Sequence, residues 1–258
     1  MKNSFLKTVL YTAMIILTLS VSSFTLKSVI ENKENIPSAE GFAVLELFTS
    51  QGCSSCPPAD AVLEKYAREN NLNIIPLAFH VDYWNRLGWN DPFSKAEFTE
   101  RQSSYARLLH AQGNYTPQIV INGKYELVGS KETTVDNLVN KELAVKRQFR
   151  IIIKKASVSQ NILNIEYETD AANANMITNL ALVKKKEFTS IKEGENRGLK
   201  QNFYNIVFDF KTLKNNANSN KASFQFNPNW ISTDFIVVAY LQNFNTGAVT
   251  GAAKSEIN

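Results

Sequence analysis

An α/β domain of order βαβαββα, followed by a mostly antiparallel β domain built as a sandwich or partial barrel, is the fold class this sequence predicts. Three observations carry that expectation. Between Phe42 and Leu143, short apolar runs alternate with stretches of helical periodicity. From Arg150 onward the helical periodicity stops, and short alternating runs separated by turn residues take over. The whole chain of 258 residues is 44% hydrophobic and 20% charged, enough apolar content for a sizeable core and far from the composition of disordered chains.

The elements follow in order. Phe42 to Phe48 reads as a buried strand, and Thr49-Ser50-Gln51-Gly52 turns into Cys53-Ser54-Ser55-Cys56-Pro57-Pro58. Ala59, Val62, Leu63, Tyr66 and Ala67 recur at helical spacing, and the two prolines fit only at a helix start, where a missing N–H costs little. A second strand is expected within Leu72 to Val81, then a polar and aromatic loop containing Trp84 and Trp89. Ser94 and Glu97 have capping-box spacing for a second helix running to Leu109. Pro117 to Ile121 and Tyr125 to Val128 flank Asn122-Gly123, a hairpin signal, and a third helix follows Ser130. Beyond Arg150, strands are expected at Ile162 to Tyr167, Ile177 to Val183, Tyr204 to Phe210, Ala222 to Phe226, Ile236 to Leu241 and Ala248 to Ala253. Asn215-Asn216-Ala217-Asn218 and Asn245-Thr246-Gly247 are the plainest turns, and no catalytic constellation is evident in this half.

Residues 1–23 form a separate unit, with Lys2 and Lys7 ahead of an apolar run and small residues at its end, the pattern of a signal peptide. The expected organisation is therefore a signal peptide at 1–23, a linker at 24–40, the α/β domain at 41–149 and the β-rich domain at 150–258. An uncleaved N-terminal anchor is the alternative and the one route to a membrane. No cysteine follows the apolar run, which excludes a lipid-anchored lipoprotein. The net charge of +4 is diffuse, and falls to +2 without Lys2 and Lys7, which argues against a dedicated nucleic-acid binder.

Cys53 and Cys56 are the only cysteines. A structural staple here would close so short a loop that it removes about 2 kcal/mol of unfolded-state entropy, against nearly 5 kcal/mol for a loop of about 100 residues. Thiolate chemistry is the stronger reading, as redox exchange or as soft-metal ligation. A thiol at a helix N-terminus feels the positive end of the helix dipole and unpaired backbone N–H groups, which lower its pKa, so Cys53 is expected as the more exposed and more acidic nucleophile. Cys56, one turn deeper, is placed to resolve a mixed disulfide. Neither step needs a bound cofactor.

From Phe42 to Arg147 the order of elements and the position of Cys-x-x-Cys resemble the thioredoxin superfamily. That resemblance implies a cis-proline at Pro117, opening the third core strand against the sulfurs, with Thr116 presenting main-chain groups to an extended partner. It also implies a buried acid in the strand before the motif, here Glu46, as proton acceptor for Cys56. More narrowly, the strings Glu46 to Pro58, Phe79-His80-Val81-Asp82-Tyr83-Trp84, Leu87-Gly88-Trp89, Tyr115-Thr116-Pro117-Gln118 and Gly194-Glu195-Asn196-Arg197-Gly198 resemble an exported thioredoxin-like family, domain of unknown function 1223.

The expected function is an exported thiol-disulfide oxidoreductase, periplasmic or secreted, with extracytoplasmic protein or small-thiol partners. Cys53, Cys56, Pro117 and Glu46 are its candidate catalytic residues. Trp84 and Trp89 are either packing for an irregular loop or, with Thr116, a recognition surface. The alternative is copper binding or delivery through Cys53, Cys56 and His80, although His80 at a strand end also fits a satisfied core histidine. Lys184-Lys185-Lys186 reads as a solvated strand end.

Overall fold

Strand β1 (Ala43–Thr49) is buried along its whole length, and its alternation divides the helices between two faces. Ala43, Leu45 and Leu47 pack with helices α1 (Pro57–Glu69) and α3 (Glu132–Leu143). Val44 and Phe48 point the other way, into a core shared with Phe98 and Tyr105 of helix α2 (Ala96–Leu108). Strand β2 (Ile74–His80) runs parallel to β1 on one side, and β3 (Gln118–Ile121) antiparallel on the other. Strand β4 (Tyr125–Val128) returns along β3 through Asn122-Gly123, both at positive φ. A Cβ at Gly123 would lie 1.9 Å from the Gly247 carbonyl oxygen, so the turn needs glycine for space as well as for its backbone angle. This is the thioredoxin-like βαβαββα arrangement. The computed structural model describes residues 41–171, 175–215 and 218–258; the expected signal peptide and linker, and Asn216-Ala217 of the expected turn, lie outside them.

Two local expectations need correction. The capping box at Ser94 does not form, because the Ser94 hydroxyl donates to the Asp91 carbonyl and α2 begins after an extended Lys95 with no side-chain cap. Strand β5 (Ile151–Ser159) is an element the sequence pattern does not predict, since three isoleucines followed by two lysines do not alternate, and a register shift between Ile153 and Lys155 interrupts its pairing.

The remaining strands are β6 (Ile162–Thr169), β7 (Met176–Ser190), β8 (Lys200–Lys214), β9 (Asn218–Gln225), β10 (Phe235–Asn243) and β11 (Val249–Glu256). They do not close into a barrel. Four of them extend the first sheet into the eight-stranded order β11-β10-β7-β8-β2-β1-β3-β4, and β5-β6-β9 forms a separate three-stranded sheet. The two halves of the chain thus share one sheet, joined at β2 and β8 by a single parallel pair, Ala78 with Ile206. Phe235, Val237, Ala239 and Leu241 of β10 face the core shared with the smaller sheet, while Ile236, Val238 and Tyr240 face the α2 core. Burial on both faces explains why β10 reads as a continuous apolar run rather than an alternating one.

Strands β7 and β8 are fifteen residues each, well beyond the short runs expected. Their paired arms, Lys186 to Ser190 with Lys200 to Tyr204, carry the connecting turn to the C-terminal end of β1. Among the described residues, no helix is long and apolar enough to cross a membrane.

Candidate functional site

The chain leaves β1 at Thr49 and turns tightly, with Cys53 N–H bonding Ser50 O and Cys56 N–H bonding Cys53 O. Cys56 is the N-cap residue of α1, and Pro57 and Pro58 are its first helical residues. Cys53 and Cys56 are joined by a disulfide with their Cα atoms 5.4 Å apart. Both are fully buried, so the expectation that Cys53 is the more exposed does not hold; Ser54 and Ser55 between them are the exposed pair.

Backbone donors are scarcer here than a helix N-terminus suggests. Pro57 and Pro58 have no N–H, and the next two amides, of Ala59 and Asp60, bond the Cys56 carbonyl. The Cys53 sulfur instead receives the Thr116 hydroxyl at 3.2 Å and lies 3.4 Å from the Ser55 hydroxyl. Thr116 precedes Pro117 through a cis peptide bond. The Trp84 indole N–H donates to the Thr116 hydroxyl oxygen at 2.7 Å, which orients its proton toward Cys53.

The turn between β7 and β8 lies against the same loop. Glu195 accepts the Ser54 N–H at 3.2 Å and hydroxyl at 2.7 Å, and the Asn196 amide donates to Gln51 O at 2.9 Å and Cys53 O at 2.8 Å. Gln51 in turn accepts from the Trp89 indole N–H and donates to Thr189.

Beneath the loop is a buried charged pair. His80 Nδ1 and Asp91 Oδ2 are 2.7 Å apart with no side-chain exposure, and the same oxygen accepts the Gln51 N–H. Burial opposes the charge on His80, but the carboxylates of Asp91 and Asp60 outweigh it and raise its pKa. Burial likewise pushes the Asp91 carboxyl up, and the His80 charge and three hydrogen bonds overcome it, leaving Asp91 below the ordinary carboxylate range. His80 Nε2 is buried without a hydrogen-bond partner. Asp60, one helical turn after Cys56, accepts from Thr49 at 2.9 Å and Gln201 at 3.2 Å. Burial pushes its carboxyl up to about 6, against the opposing pull of His80 and those two donors.

The site thus combines a Cys-x-x-Cys disulfide at a helix start with a cis-proline loop whose threonine reaches the first sulfur. Residues 44–242 match the family described as Protein of unknown function (DUF1223). The chain belongs to that family. Among solved structures, protein AGR_C_4864 from Agrobacterium tumefaciens is similar at 27% identity and a TM-score of 0.64, covering 83% of this chain and 94% of that one. HBP35 of Porphyromonas gingivalis shares the fold at a TM-score of 0.62 and 15% identity, covering 84% of this chain and 76% of that one. No curated protein sequence matches the chain.

Within this DUF1223 chain, several expected site residues are placed otherwise than the sequence suggested. Glu46 lies on the α2 face of β1, away from the helix that carries the cysteines. Its carboxylate accepts from Arg101 Nε at 2.5 Å and Nη2 at 2.9 Å, and from the Tyr105 hydroxyl at 2.5 Å. Its carboxylate is thus paired with Arg101 and Tyr105 on the α2 face rather than turned toward Cys56. Trp84 and Trp89 are partly buried, with their indole N–H groups holding Thr116 and Gln51 rather than pointing outward. His80 is paired to Asp91, and among the described residues no group of three or more His, Cys, Asp or Glu is arranged to hold a metal ion.

The structure also adds residues that sequence reasoning missed. Asp60 had a usable signal, its i, i+4 spacing from Cys56 on one helix face. Glu195 and Asn196 stand in a string that marked the family resemblance, yet the C-terminal half carried no expected site role. Lys184-Lys185-Lys186 is not a bare solvated end: Lys184 pairs with Glu187, and Lys185 with Glu256 at 2.6 Å.

Proposed function

We propose that this protein is an exported thiol-disulfide oxidoreductase that exchanges disulfides with extracytoplasmic thiol or disulfide proteins. The observation that carries the reading is the hydrogen bond from Thr116 to the Cys53 sulfur, which distinguishes one cysteine of the pair from the other. A donor aimed at one sulfur favours that sulfur as thiolate, and the thiolate is the attacking form. The N-terminal pattern of residues 1–23 supports export, with a membrane engaged only if that segment is retained.

In the oxidising direction for the protein, the Cys53 thiolate attacks a partner disulfide, forming a mixed disulfide and releasing the first partner thiolate. The Cys56 thiol gives its proton to the Asp60 carboxylate and attacks Cys53 Sγ. The Cys53–Cys56 disulfide forms, the second partner thiolate leaves, and the partner has gained two electrons. The reverse sequence oxidises a partner dithiol. Pro117 shapes the surface beside the sulfurs, and Thr116 presents main-chain groups there to an extended partner.

Catalysed turnover tests the reading. The protein should accelerate reduction of a model protein disulfide by glutathione, and Cys53→Ser should abolish the acceleration. Equal rates with the unaltered protein and Cys53→Ser count against it.

A further inference from the structure

Both cysteines have 0% exposure although the residues between them face solvent. A sulfur with no accessible surface is not open to in-line attack, so something over the pair must move before exchange. The turn 191–199 is hydrogen-bonded to the loop that carries the pair, through Ser54 and the Gln51 and Cys53 carbonyls. It is tied into a compact unit by Ile191 N–H to Leu199 O, Gly198 N–H to Ile191 O, Leu199 N–H to Asn196 O and Arg197 N–H to Gly194 O. Gly194 at φ +74 lets it turn, and a Cβ there would meet Trp89 Cβ at 3.1 Å, so the turn lies close against the aromatic loop. It sits at the tip of two long paired arms, and it touches the Cys-x-x-Cys loop through side-chain hydrogen bonds from two residues, Glu195 and Asn196.

We propose that residues 191–199 form a strap that closes over the Cys53–Cys56 pair, with Glu195 and Asn196 as its latch, and that release of this latch admits the reacting thiol. The proposal rests on the oxidoreductase reading for its purpose, though not for its test. Asn196 is a double donor to two carbonyl oxygens, those of Gln51 and Cys53, and it fixes the main chain on both sides of Gly52. Glu195 is a double acceptor from Ser54. The two residues grip the loop through opposite chemistries, so their conservative variants have opposite consequences. Glu195→Gln retains a side-chain oxygen to accept from Ser54. Asn196→Asp keeps the shape of the side chain but replaces the donor with a carboxylate facing two carbonyl oxygens, which it repels.

The experiment measures how fast dithiothreitol reduces the Cys53–Cys56 disulfide in the full chain, read by mass labelling of the released thiols. Hydrogen exchange of the Ser54 amide is followed in parallel. Asn196→Ala and Asn196→Asp should each speed reduction about tenfold and accelerate Ser54 exchange, Glu195→Ala should speed reduction less but accelerate Ser54 exchange most, because it removes that amide's own acceptor, and Glu195→Gln should stay within about twofold of the unaltered protein on both readouts. Arg197→Ala, on the exposed side of the same turn, controls for general loosening and should leave the rate unchanged. The strap is refuted if Asn196→Asp reduces at the unaltered rate, or if Arg197→Ala speeds reduction as much as Asn196→Ala. Faster reduction in the latch variants without turnover of any protein disulfide leaves the strap standing and removes the oxidoreductase reading. Turnover with unchanged reduction rates does the reverse.

Discussion

The Thr116 hydroxyl and the Cys53 sulfur are 3.2 Å apart, and the Trp84 indole holds that hydroxyl from behind. With two prolines opening α1 and the Ala59 and Asp60 amides bonded to Cys56, this side chain does what backbone N–H groups do at other helix starts. A hydrogen bond of about 0.5–1.5 kcal/mol corresponds to roughly half to one pH unit. Thr116→Val should therefore raise the midpoint of Cys53 alkylation by iodoacetamide by about that much in the reduced protein. An unchanged midpoint means that Thr116 does not support the thiolate.

Asp60 should titrate near 6 in the oxidised protein, measurable by carboxyl carbon NMR. Thr49→Val and Gln201→Leu each remove a donor to the carboxylate, so each should move the midpoint further up. Because the folded value lies above the unfolded value of about 3.9, ionising Asp60 costs stability as pH rises from about 4 through 6. Asp60→Asn removes this cost, and its stability relative to the unaltered protein should rise over the same interval. A midpoint near 4 excludes Asp60 as the proton acceptor for Cys56.

The His80–Asp91 pair gives a pH window of its own. Asp91 has a lowered pKa, so its contribution is complete above about 4 and fades as pH falls through the folded value. His80 has a raised pKa, so its contribution is complete below about 6.5 and fades as pH rises through its folded value. Urea unfolding of Asp91→Ala should show a loss of about 3–5 kcal/mol between about pH 5 and 6, because His80 and the Gln51 N–H lose their common partner. The gap to the unaltered protein should narrow on either side of that window. A loss independent of pH argues against a charged pair.

What the sequence disclosed was local. The apolar run of β1, the two prolines after Cys56 and the Asn122-Gly123 hairpin are each decided within a few residues, and each stands where periodicity and turn chemistry put it. The site depends on longer reaches. Glu195 lies 141 residues from Ser54 in sequence, and Gln201 the same distance from Asp60. Those contacts depend on how far the β7–β8 arms continue past the apolar segment, which hydrophobic pattern alone does not mark. Glu46 was misleading for a related reason: an acid in an apolar strand announces a buried partner, but only the packing of α1 and α2 on opposite faces reveals that the partner is Arg101 and not a cysteine. The change of pattern at Arg150 marked a change in connectivity, while the shared sheet that crosses it rests on one parallel bridge.

The most direct test of the exchange reading is substitution of Cys56, the cysteine it casts as resolving, in the full chain. Cys56→Ser leaves Cys53 able to attack but removes the thiol that releases it, so mixed disulfides with natural partners should accumulate through Cys53 and vanish on reduction. The double substitution Cys53→Ser with Cys56→Ser should trap none. Failure of Cys56→Ser to trap any partner, together with stoichiometric copper on the unaltered protein, contradicts the account and favours metal handling by the two thiolates.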